Sequence, residues 1–233
     1  MLICPSRRTL LIGLAAATAT QLMVSGDMTA SAQTSPNPAA LFEAIERNDA
    51  DAVADLVAKG VVVDSRNADG ETALLVATHQ NRVEIARLLI LAGADVNARD
   101  RIQDSPYLYA GARGHLEILK LALSHGADLN STNRYGGTAL IPASERGHVE
   151  TVRTLIEAGV AIDHVNNLGW TALLEAVLLG DGGDRHVAIV KLLLAAGADP
   201  SLPDRDGVTP LRHARQRGFL EIAEGLKKAG GRE

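Results

Sequence analysis

The chain has 233 residues, 46% of them hydrophobic but only 3% aromatic, so its core must be filled by Leu, Ile, Val and Ala, as thin helical layers are. That length accommodates one or two ordinary domains, or one array of about six short repeats. A formal net charge of −5 and a pI near 5.8 argue against a general nucleic-acid binder, which presents a basic face.

Residues 1–32 read as an export leader. Ser6-Arg7-Arg8-Thr9 supplies a charged start, and Leu10 to Val24 is apolar apart from Thr18, Thr20 and Gln21. Ala30-Ser31-Ala32 then places small residues at the −3 and −1 positions of a cleavage site. The serine, paired arginines and following leucines resemble the bacterial twin-arginine signal, with Leu10 where Phe is usual and no Lys after Leu11. The general secretory route and a retained anchor are the alternatives, although the apolar stretch is shorter than the roughly 18 residues that spanning requires. The lone cysteine, Cys4, leaves with the leader, so the mature chain depends on packing alone. Loss of Arg7, Arg8 and Asp27 takes the net charge from −5 to −6. Residues 33–38, with Ser and two Pro, form a flexible linker.

From residue 39 a fixed beat begins. Gly60, Gly93, Gly126 and Gly159 follow one another at 33 residues, and the step to Gly197 is 38. Thr72-Ala73-Leu74, Ser105-Pro106-Tyr107, Thr138-Ala139-Leu140, Thr171-Ala172-Leu173 and Thr209-Pro210-Leu211 keep the same interval. Such a period predicts an all-α solenoid, in which each unit buries its apolar side only against the next. Units fall near 39–66, 67–99, 100–132, 133–165, 166–203 and 204–233, six including two polar caps.

The recurring residues have mechanical roles. The hydroxyls of Thr72, Ser105, Thr138, Thr171 and Thr209 stand where they cap a first helix, and Pro106 and Pro210 follow at the first helical position. Leu88 to Ile90 and Leu192 to Leu194 supply core on the second helices, which end at the repeated glycines. Asp69-Gly70, Gly136-Gly137 and Asp206-Gly207 make loop tips. Two departures stand out. Pro142 falls inside a first helix, removing an early backbone bond and tightening the turn, and the fifth unit carries a five-residue expansion, placed within Gly180 to His186 and read as a glycine-rich loop.

The tract Asn133-Arg134-Tyr135-Gly136-Gly137-Thr138-Ala139-Leu140, then Arg146-Gly147-His148, then Leu155 to Gly159, resembles the ankyrin repeat family. The stretch from Asn166 through Trp170 to His186 is similar to an exported bacterial subgroup of it. The resemblance implies helix-turn-helix units linked by β-hairpin loops. It also implies binding through hairpin tips and the inner face of the first helices, and a structural role for His115 and His148 at the Gly-His turn. No nucleophile elbow, phosphate-cradling loop or paired-cysteine zinc spacing occurs, so no catalytic residue, cofactor or metal is assigned.

Carried over unit by unit, the tips offer Arg101, Ile102, Arg134, Tyr135, Leu168, Trp170 and Arg205. The ends of the first helices form a column of Gln80, Arg113, Arg146, Leu179 and Arg217. Arginines beside Tyr, Trp and Leu match the composition of an interface core. The plainer reading is that the arginines solvate this face and Trp170 packs on its own hairpin. The expectation is an exported, monomeric, non-catalytic scaffold for an unidentified protein partner in the periplasm or outside the cell. It is expected to bind no nucleic acid, and no membrane after leader cleavage. The alternative is a small-ligand site near Trp170, Leu179 and the 180–186 insertion.

Overall fold

The computed structural model describes residues 37–233; the leader, and the linker up to residue 36, lie outside them. The described residues form twelve helices in six consecutive pairs. The first helices are α1 (Pro38–Glu46), α3 (Ala73–His79), α5 (Pro106–Arg113), α7 (Leu140–Glu145), α9 (Ala172–Leu178) and α11 (Pro210–Gln216). Their partners are α2 (Ala50–Ala58), α4 (Val83–Leu91), α6 (Leu116–Ser124), α8 (Val149–Ala158), α10 (Asp184–Ala195) and α12 (Leu220–Lys228). Each helix packs on its partner and on the equivalent helices of the adjacent units, giving two layers. One apolar core runs through every pair, and fully buried Leu41, Leu74, Leu89, Leu119, Leu140, Leu155, Leu173, Leu193 and Leu226 mark its path.

The tips are hairpin turns without strands. Among the described residues no strand forms, but each tip is closed by a backbone bond, the N–H of Asn67, Asp100, Asn133, Asn166 and Asp204 donating to the carbonyl four residues on at 2.9–3.0 Å, and one antiparallel bridge joins Arg66 and Thr72. Strands are absent because a side chain takes the donors a ladder would use. Asn67, Asp100, Asn133, Asn166 and Asp204 each accept through Oδ1 from the backbone N–H groups two and four residues on, at 2.9–3.1 Å. An Asx turn closes on itself and leaves nothing to extend into a sheet.

Four of the five predicted hydroxyl caps form. Thr72, Ser105, Thr171 and Thr209 accept from the N–H three residues on, while the N–H four residues on bonds the cap residue's carbonyl. Thr138 does not cap. The residue four beyond it is Pro142, which has no N–H, so the Thr138 carbonyl takes Ile141 N instead, at 3.2 Å. Ile141 N was the donor the hydroxyl needed, and Thr138 Oγ1 is left buried without a partner. Consequently α7 is the shortest of the twelve helices, at six residues.

The 180–186 segment also differs from the expected loop. Its last three residues are the first turn of α10, the longest helix at 12 residues. The remainder is packed. His186, 4% exposed, reaches the Glu145 carbonyl through Nε2 at 2.9 Å and Asp181 Oδ1 through Nδ1 at 2.7 Å. Arg217 donates to the carbonyls of Leu178 and Gly180. Gly182 has φ +71°, and a Cβ there would lie 2.3 Å from the Phe219 ring. The insertion is therefore a structural graft that lets His186 make the kind of inter-unit bond that His115 Nδ1 makes to the Thr78 carbonyl at 2.9 Å.

Candidate partner-binding recess

The five Asx residues are followed nine positions later by Val76, Tyr109, Pro142, Glu175 and His213, all on first helices. In the last unit this residue ties helix to tip, because His213 Nε2 meets Asp204 Oδ2 at 2.7 Å. In the fifth unit Asn166 Nδ2 donates to Glu175 Oε1 at 2.8 Å. In the fourth unit Pro142 offers no reach and no acceptor. A recess of about 240 Å³ opens there, with Tyr109 lining it from the third unit and Glu175 from the fifth.

The lining is mixed. Leu108, Ala139, Ile141 and Pro142 give an apolar floor, and Tyr135, Leu168 and Leu179, each about half exposed, stand around it. Three arginines and three acids contribute as well. Arg134 pairs with Asp104 at 3.6 Å and lies over the Tyr135 ring. Arg146 donates to the Ala112 carbonyl at 2.7 Å, and Arg113 sits 5.4 Å over the Tyr109 ring. Burial raises the Asp104 carboxyl above its ordinary range, with Arg134 opposing the shift.

Glu175 is the unusual group. It is 6% exposed, and burial pushes its pKa up to about 7, helped by the nearby Glu145 charge and opposed by the Asn166 bond and Arg146. A carboxyl titrating near neutrality in a recess is a signal of function, although ion-pair networks also produce such shifts.

Six of the residues expected to meet a partner come together here: Arg113, Arg134, Tyr135, Arg146, Leu168 and Leu179. Five do not. Arg101 lies over Gly70 and Arg205 over Gly169, where any Cβ would meet the arginine stem, and Arg205 also donates to the Asn167 carbonyl. Arg217 holds the insertion, as described above, and Ile102 is exposed on its tip outside the recess. Trp170 is half-buried, its backbone N–H donates to Asn166 Oδ1, and it lines no part of the recess. Of the residues named for the alternative small-ligand site, Leu179 lines the recess, whereas Trp170 and residues 180–186 do not. Missed altogether were Glu175 and Asn133. Lining up residues 76, 109, 142, 175 and 213 would have exposed both the gap at Pro142 and the lone acid beside it.

The family model for ankyrin repeats (3 copies) matches residues 13–100 and 107–204. The chain belongs to the ankyrin repeat family. An ankyrin repeat domain from Acinetobacter baumannii AYE is 60% identical, with a TM-score of 0.80 over 82% of this chain and 98% of that one. The ankyrin repeat protein EF0377 is 45% identical at a TM-score of 0.80, covering 83% of this chain and 98% of that one. The ankyrin repeat domain of Bcl-3, a member of the IkappaB family, is 30% identical at a TM-score of 0.74, covering 84% and 87%. A curated ankyrin repeat protein of Escherichia coli (strain K12), YahD, is 57% identical over 56 residues, which are 24% of this chain and 28% of that relative's length. Ankyrin repeats generally mediate protein–protein interaction and serve as non-catalytic scaffolds. Of the two Gly-His histidines, His115 bonds the Thr78 carbonyl of the preceding unit as expected, whereas the His148 ring makes no such bond among the described residues; His186 makes the equivalent one to the Glu145 carbonyl.

Proposed function

We propose that this chain is an exported, monomeric interaction scaffold that grips one protein partner over units three to five, on the face of the first helices. The observation that carries the reading is the clustering of half-exposed Tyr135, Leu168 and Leu179 with Arg113 and Arg146 around one recess. Aromatic and arginine anchors set in a pocket and rimmed by polar groups have the anatomy of a binding hot spot. At about 240 Å³ the recess falls below the roughly 300 Å³ at which small-molecule pockets begin, so a single partner side chain suits it better than a free ligand. Export rests on Arg7, Arg8 and the apolar segment after them.

The test uses the absence of cysteine beyond Cys4. Tyr135→Cys and Arg153→Cys, each carrying a photo-crosslinker, are irradiated in the periplasmic extract. An adduct from position 135 and none from position 153, on α8 of the opposite layer, is expected; the reverse pattern refutes the assigned face. Replacing Arg7 and Arg8 with Lys is expected to stop delivery through a twin-arginine route, and normal delivery would leave the general secretory route.

A further inference from the structure

Glu175 has one oxygen in use and one idle. Oε1 accepts from Asn166 Nδ2, whereas no protein group among the described residues donates to Oε2, which is nonetheless not sealed from solvent. Glu175 is 6% exposed, yet one of its oxygens has no protein donor and is open to the recess, so an arriving group can reach it. Glu145 lines the same recess from α7, so two acids converge on one end of it. The rim arginines are already engaged: Arg134 with Asp104, Arg146 with the Ala112 carbonyl, Arg113 with the face of Tyr109. Asn133 Nδ2 has no partner either, because Pro142 stands where the next unit has Glu175.

We propose that the recess receives a basic side chain of the protein partner, lysine or arginine, its cationic head against the Glu175 carboxylate beside Glu145 and its methylenes along Ile141, Pro142 and Leu168. This deepens the scaffold reading and rests on it. An arriving cation gives Oε2 a charge-assisted bond and relieves the repulsion that half-buried Glu145 exerts on Glu175. It also makes unit four the specificity-determining unit, since the other first helices carry Val76, Tyr109 or a tied His213 at this position. An acidic side chain would instead require Glu175 to keep its proton.

The two cases have opposite pH signatures. The charges acting on Glu175 are Glu145 of α7 and Arg146 just after it; His186 of α10 and His213 of α11 are held by Asp181 and Asp204. A cation binds the ionised acid, so its affinity rises with pH through 7, by about tenfold between pH 6 and pH 8 for one proton released.

The probes are n-butylguanidinium and butyrate, titrated into the whole protein and followed by the methyl NMR signals of Ile141, Leu168 and Leu179. Butylguanidinium is expected to shift these methyls and to bind about tenfold more tightly at pH 8 than at pH 6. Glu175→Gln, which retains the oxygen facing Asn166, is expected to abolish both the binding and its pH dependence, and Glu145→Gln to weaken it. The wild-type pH series stands whether or not either variant folds. Binding of butyrate that weakens as pH rises, or equal butylguanidinium affinity in Glu175→Gln, overturns the proposal. Probe binding in a protein that crosslinks to nothing would defeat the scaffold reading and leave the recess intact. A crosslinked partner beside a recess that ignores butylguanidinium would do the opposite.

Discussion

Units four and six follow the same plan, and one difference on the inner face separates their roles. In unit six His213 reaches back to Asp204, Arg217 clamps the preceding loop and Phe219 fills the space over Gly182. In unit four the corresponding residue is Pro142, so Asn133 has no helix side chain to donate to, the Thr138 hydroxyl is left buried without a partner, and the recess opens. A repeat protein can therefore make a site by omission. Its neighbours show what each position normally does, and the site lies where that is not done.

This contrast can be broken in several ways, beginning with its rigid side. Leu193 is fully buried between the units around the insertion, so Leu193→Ala is expected to cost roughly 2–5 kcal/mol in denaturant unfolding. Half-buried Leu192 should cost less when truncated, and equal midpoints for Leu193→Ala and wild type would show that the insertion region is not held by this packing. Next in size is Glu175. Its folded pKa of about 7 lies above the ordinary 4.5, so the folded state holds its proton longer. The resulting destabilisation is absent below 4.5, grows as pH rises toward 7 and is complete above it. Glu175→Gln should therefore be the more stable protein at pH 8, by on the order of 2 kcal/mol, and no more stable than wild type at pH 4.5. A difference that does not change with pH would remove Glu175 as the buried acid.

Pro142→Ala returns the missing N–H, frees Ile141 N for Thr138 and should stabilise the array by about 1 kcal/mol, the usual worth of a cap. Thermal unfolding measures this, and a loss of stability would show that the proline matches the local backbone better than the cap does. The smallest effect is Arg113→Ala. Its guanidinium makes only the contact with the Tyr109 ring, so stability should move by no more than about 0.5 kcal/mol. A larger change would mean that Arg113 holds the stack as Arg146 and Arg217 do.

The layers, unit count and caps were legible in the sequence, because glycine and threonine at a 33-residue beat have few mechanical explanations. The tips were half legible. Asp69-Gly70 announces a turn, but the residue that organises each tip is the Asx two positions before it, whose role depends on where its Oδ1 points. The arginine column was visible as composition only. Nothing in the spacing separates Arg146 and Arg217, which donate to carbonyls of the preceding unit, from Arg113, which does not. Trp170 was named for its place at a tip and for interface composition, and neither tells which way its ring faces. Glu175 was overlooked because an acid on a helix normally points to water, and only the packing of α9 against α7 and α11 places it indoors.

The orphaned Thr138 hydroxyl has a consequence for how the array comes apart. Each unit of a solenoid is held by its own stability and its two interfaces, so a chain of six opens first at its weakest link. Here the unit with the shortest helix and the missing hydroxyl cap is central rather than at an end. Hydrogen exchange should show α7 opening ahead of the layers on either side, with the chain behaving as two blocks joined at a seam. A partner seated across units three to five would bridge that seam, acting as a splint whose grip on both blocks adds to the stability of the whole array.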